Sequence, residues 1–257
     1  MCIETNLLLH LPLNTRSFYS FVFGATIAQY NLHYLFKKNA IVNSRRMEWS
    51  VRNRQVHKYM IAAGGVIVIT SLVRFHMHHL IFLLGLGAIA FLYSFPVLPF
   101  SGGKRIKDFG VCKITTLALL WTLVTVWFPV DQMNFNGLSF QLVFFRRFIF
   151  MFILCLLFDV RDSKVDRSEN IKTIPVLIGI SNTYLICYIS LTVFTILTLI
   201  QFLHLKEPLE LVAMLTSALA TLFAIEYTKK NNSDFNYLAG VDGMMLLQAI
   251  LVIITSI

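Results

Sequence analysis

Eight apolar runs dominate this chain, at residues 17–36, 59–73, 80–99, 113–130, 144–159, 182–203, 209–228 and 238–257. A helix needs about 17 to 25 such residues to cross a hydrocarbon core, so these runs read as membrane spans. Those at 59–73 and 144–159 are short and are expected to extend into flanking polar residues. With 57% of residues hydrophobic, 14% charged and a mean hydropathy of +0.71, no soluble domain is consistent with the composition. The sequence therefore predicts an all-α fold: one polytopic membrane helical bundle of about eight transmembrane helices, forming a single domain over residues 1–257. The stub at residues 2–13 is too short to cross the lipid bilayer and lacks the charged start and cleavage site of a signal peptide.

The net charge of +9 invites a nucleic-acid reading, but the bases do not cluster that way. Seventeen of the 22 Lys and Arg residues fall in four alternate loops: Lys37 to Lys58, Lys104 to Lys113, Arg161 to Lys172, and Lys229 with Lys230. Such asymmetry orients a membrane protein, predicts those loops to be cytoplasmic, and removes the argument for nucleic acid. The expected location is an integral, multi-pass position, in the plasma membrane if the source is bacterial. The four cysteines, Cys2, Cys112, Cys155 and Cys187, form no CxxC pair and read as packing residues.

The fifth run ends in FDVRDSKVDRSENIKTIPVLIG, residues 158–179. Its acids Asp159, Asp162 and Asp166 lie at i, i+3 and i+7. At about 100° per residue these carboxylates fall within roughly 60° of one another on a helix. Their repulsion costs stability unless a cation lies between them. Mg²⁺ suits the place, because it takes oxygen ligands and bridges carboxylates to phosphates. The competing reading is a solvated helix end answered by Arg161, Lys164 and Arg167.

DxxDxxxD, followed by Lys172-Thr173-Ile174-Pro175-Val176 and Gly179, resembles the second aspartate-rich motif of the UbiA superfamily of intramembrane prenyltransferases. The resemblance implies a helical bundle of nine helices, the first truncated here, around a central cavity. It implies transfer of a polyprenyl group from a prenyl diphosphate to an aromatic or other lipophilic acceptor. It also implies Mg²⁺ on Asp159, Asp162 and Asp166, which would then be the catalytic and metal-binding acids. The family's first motif, N-x-x-x-D-x-x-x-D, is degenerate: Asn31 is kept, but Leu35 and Asn39 stand where the acids should be. Lys38, seven residues from Asn31 and on its face, is placed to meet diphosphate where a metal is lost. It also reads as a snorkelling border lysine.

Tyr93-Ser94-Phe95-Pro96, with Gly102-Gly103-Lys104-Arg105, resembles the family's helix end and basic turn, and Gly and basic residues together suit phosphate oxygens. The diphosphate-binding candidates are accordingly Asn31, Lys38, Tyr93, Lys104, Arg105 and Lys172. Asp242, just inside the last run, is either an interior functional acid or a helix N-terminal charge. Glu226 beside Lys229 and Lys230 reads as an interfacial pair. Three functions compete: an active prenyltransferase with a reduced metal site, a catalytically reduced isoprenoid- or partner-binding protein, and a small cation-coupled transporter using Asp159, Asp162, Asp166 and Asp242.

Overall fold

The run around 144–159 is apolar on every side, so a helix built from it must be surrounded. A computed structural model, described for residues 1–35, 45–94, 109–130, 137–168, 170–231 and 233–256, shows this. Eleven helices account for the described residues: α1 (Cys2–Leu8), α2 (Arg16–Leu35), α3 (Arg45–Arg52), α4 (Arg54–Leu72), α5 (Met77–Ser94), α6 (Gly110–Val130), α7 (Leu138–Ser168), α8 (Ile174–Ile178), α9 (Ile180–Leu205), α10 (Pro208–Lys230) and α11 (Asn236–Thr255). Each predicted run is helical over its described residues apart from turns such as those at Val73 and Ser256, and the short run at 144–159 extends at both ends into the 31-residue α7. Four helices, α6, α9, α10 and α11, are long and apolar enough to cross a membrane, and 79–94 is a shorter apolar helix. α7 is longer still, but it carries Arg146, Arg147 and the acid row.

The chain divides into two compact units, one of Met1–Leu13 with Ala88–Ile257 and the other of Asn14–Gly87. In the larger unit α7 is the axis. Phe150, Met151, Ile153, Leu154, Cys155, Leu156 and Leu157 are all buried, and at about 100° per residue they reach around most of the helix. α6 and α9 pack on α7, α10 on α9, and α11 on α10. Lipid tails are as apolar as leucine, so this association comes from close packing and polar contacts rather than from escape from water. The outer helices keep apolar side chains such as Ile196, Leu203, Leu219 and Phe223 exposed, as a lipid-facing surface requires.

Helix α6 widens into a π-turn at Leu123–Trp127. Such a turn releases backbone carbonyls from the regular ladder, and in an apolar interior each needs a donor. The α1 stub supplies them: Thr5 Oγ1 donates to Thr125 O at 2.7 Å, and Cys2 Sγ to Val124 O at 3.7 Å. In the smaller unit α2 and α4 approach through small residues. A Cβ on Gly64 would lie 2.7 Å from Gly24 O and 3.1 Å from Ala28 N, so only glycine there permits the approach.

A candidate ionic centre at the end of α7

Asp159 and Asp166 are seven residues apart, nearly two full turns, and both turn inward at the end of α7. Between them lies the ammonium of Lys113, whose Nζ is 2.8 Å from Asp159 Oδ1 and 3.6 Å from Asp166 Oδ2. The two carboxylate side chains are only 4% and 8% exposed, and Lys113 is 21% exposed. Asp159 Oδ2 and Asp166 Oδ2 are buried with no hydrogen-bond partner. Burial pushes the Asp166 carboxyl above the usual carboxylate range, while Lys113 pulls it back.

Asp162 goes elsewhere. It is 42% exposed and accepts two hydrogen bonds from its neighbour Arg161, at 2.8 Å from Nε and 3.0 Å from Nη2. The Arg161 guanidinium lies over the Phe158 ring at 4.9 Å and the Tyr237 ring at 5.5 Å. The acid row thus separates into an inward pair around a lysine and an outward acid paired with a stacked arginine. Among the described residues no three His, Cys, Asp or Glu side chains come together as a metal-ligand set.

Gly110 brings Lys113 to this place. A Cβ on Gly110 would meet Lys172 O at 1.5 Å, so the first turn of α6 is pressed against the Lys172–Thr173 backbone. Ile171 N donates to Asp166 O at 2.8 Å, folding the segment after α7 back on itself, and Thr173 then starts α8 with Pro175 in its first turn. Lys113 lies one turn beyond Gly110, facing the acids. Tyr93 is half-buried and close enough to Lys113 to act on its charge. The Lys172 side chain is exposed, and it is the residue's carbonyl that packs on α6. In the sequence Lys113 passes for one more loop base. The signal that marks it is a lysine at the head of an apolar run, three residues after a glycine, since ionisable groups there mark sites.

Asn31 belongs to the smaller unit, where its amide is engaged on both sides. Nδ2 donates to Ile27 O at 2.8 Å, and Oδ1 lies 2.7 Å from His57 Nδ1. An amide oxygen only accepts, so Nδ1 carries the proton and Nε2 accepts from Ser50 Oγ at 2.9 Å. Ser50 and His57 are buried, and Tyr34 stacks on the imidazole at 5.3 Å. Lys38, Lys104 and Arg105 lie outside the described residues, as does Asn39.

A second set of charges is buried about 20 Å back along α7, thirteen residues before Asp159. Arg147 Nη2 meets Glu4 Oε1 at 2.8 Å, and Arg146 Nη2 meets Glu210 Oε1 at 3.5 Å. Gln201 Nε2 also donates to Glu210, at 2.7 Å. Both arginines and Glu4 are fully buried, a packing the sequence reading did not anticipate. Asp242 sits at the C-terminal side of a π-turn, Asn236–Val241. The expected interfacial pair is present, with Lys229 Nζ 3.2 Å from Glu226 Oε1 and the Tyr188 hydroxyl hydrogen-bonded to both.

Comparison with known proteins bears out the family resemblance. The model of the UbiA prenyltransferase family matches residues 41–239, a stretch that runs through both compact units and contains all three acids, Lys113 and the Lys172 tail. No curated protein and no solved structure matches significantly. The match spans more than three quarters of a chain built from long apolar helices, so this integral, multi-pass membrane protein belongs to the UbiA prenyltransferase family.

Proposed function

We propose that the chain transfers a polyprenyl group from a prenyl diphosphate to a lipophilic acceptor inside the bilayer, with its ionic centre at the cytoplasmic mouth of the bundle. The observation that carries this reading is the Asp159–Lys113–Asp166 cluster, a buried ionic centre at the end of an apolar helix in a UbiA-family chain. In such a transfer the allylic C–O bond breaks and its electron pair leaves with diphosphate. The carbocation is captured by an electron-rich carbon of the acceptor, which then loses a proton. Positive charge at the diphosphate end favours departure, and a dry apolar cavity keeps water from the cation. Lys113 offers donors there rather than net charge, since two carboxylates outweigh one ammonium: of its three N–H groups Asp159 takes one, which leaves others for Asp166 and an incoming oxygen. Lys172, exposed beside it, adds a second cation.

Members of this family typically use Mg²⁺. The residues around this centre do not fit a divalent ion as they stand. Two carboxylates face inward rather than three, Asp162 is bound to Arg161, and an ammonium stands between the remaining pair. The chemistry of the reading therefore runs through the chain's own cations.

A second reading is favoured by Asn31. Its amide is spent on Ile27 and His57, and the first motif lacks both acids, as in a protein that binds isoprenoid lipid without reacting. A cation-coupled transporter is less well supported, because three of its four proposed acids already hold internal cations. The test is to supply tritiated prenyl diphosphates of graded length to membranes containing the chain, and to measure released diphosphate and organic-phase label together. Prenyl transfer predicts both, with Lys113→Met lowering them roughly 100-fold, the scale on which one preorganised charge acts. Saturable binding of label with no diphosphate release would establish the second reading instead.

A further inference from the structure

The acid row needs a cation between its carboxylates, and the structure supplies one from within the chain. We propose that Lys113 is the resident cation of this centre: it occupies the place between Asp159 and Asp166 that a divalent ion would otherwise take, so the site is held together without a metal. The proposal deepens the reading of this site as the diphosphate centre, but it concerns cation affinity rather than turnover, so either can fail without the other.

Three observations converge on it. The ammonium is within 2.8 and 3.6 Å of the two inward carboxylates, which are nearly buried. Asp162, the acid that would complete a three-carboxylate set, is held by Arg161 in a two-point contact. Asp159 Oδ2 is buried with no hydrogen-bond partner and is not the oxygen that meets Lys113, so the pocket retains carboxylate capacity that the single lysine does not exhaust. An ammonium and a divalent ion cannot share the position. Like charges a few ångströms apart in a poorly solvated site oppose one another strongly, and a doubly charged ion is opposed more strongly than a single one. Removing the lysine charge should open the site to a metal.

The experiment uses the purified full chain in nanodiscs after EDTA treatment, with Mn²⁺ as probe and its free-ion electron paramagnetic resonance signal as readout. Wild-type protein is expected to show only weak Mn²⁺ binding and an unfolding temperature unchanged by EDTA. Lys113→Met, which keeps the side-chain length and loses the charge, is expected to bind one Mn²⁺ at least about 10-fold more tightly. Its unfolding temperature should rise with Mn²⁺, and adding Asp159→Asn should abolish both gains. Tight Mn²⁺ binding by wild type that falls at least about 10-fold in Asp159→Asn would overturn the proposal, as would a folded Lys113→Met that binds Mn²⁺ no better than wild type. If Lys113→Met does not fold, Asp159→Asn and Asp166→Asn in the wild-type background decide the matter. Unchanged Mn²⁺ affinity supports a lysine-held centre, and a loss in both overturns it.

Discussion

Lys113 and Gly110 show how two residues from one turn of helix set the chemistry of another. Lys113 is worth little in a loop and a great deal between two nearly buried carboxylates, where it removes the repulsion that would otherwise raise the cost of the acid row. Gly110 makes that placement possible by admitting the Lys172 carbonyl where any Cβ would collide. Gly110→Val is therefore expected to push the segment after α7 off α6 and separate Lys113 from Asp166. Overpacking of this kind costs about 1 to 3 kcal/mol or more, which thermal unfolding in detergent would register. Gly137→Val, at a glycine with open space around it, should leave the unfolding temperature unchanged. The acids were legible in the sequence from spacing alone, because i, i+3 and i+7 put them on one side of a helix. Their cation was not, because it comes from an element 46 residues earlier, and only tertiary packing brings it near.

At the scale of elements, α7 organises the larger unit by two kinds of burial. Its middle is apolar all round and packs on α6 and α9, whereas its first half carries Arg146 and Arg147 into the interior. Those arginines tether the flanking helices, Arg147 to Glu4 of α1 and Arg146 to Glu210 of α10. Removing one partner of a buried pair strands the other charge, at a cost of about 3 to 5 kcal/mol, whereas replacing both with apolar residues is near neutral. Arg147→Met alone should therefore lower the unfolding temperature sharply, and Arg147→Met with Glu4→Leu should recover most of the loss. A double variant as unstable as the single one would contradict the pairing. The apolar runs revealed eight of the described helices, all but α1, α3 and α8, since length and hydropathy suffice for that. They did not reveal that Arg146 and Arg147 turn to the interior, because a run without apolar periodicity cannot say which face a lone charge takes. Nor did they reveal the role of the stub before α2, too short to span, which answers the carbonyls released by the α6 π-turn.

For the whole molecule, family membership and the ionic centre bear on the same question, namely how a prenyl diphosphate is held. The family match and the helices establish a multi-pass UbiA-type protein. In this chain Leu35 and Asn39 stand where the resembled first motif would carry acids, and an ammonium lies between two acids of the second. Under the proposed reading both features leave positive charge to be supplied by lysine. The most direct measurement is equilibrium binding of a non-hydrolysable prenyl diphosphate analogue to the purified full chain, in Mg²⁺ and again in EDTA. The account predicts that wild-type binding survives EDTA, and that Lys113→Met in EDTA loses about 10- to 150-fold, the value of one charge-assisted hydrogen bond. Binding that disappears from wild type when Mg²⁺ is removed, or that is the same in Lys113→Met as in wild type, would contradict it.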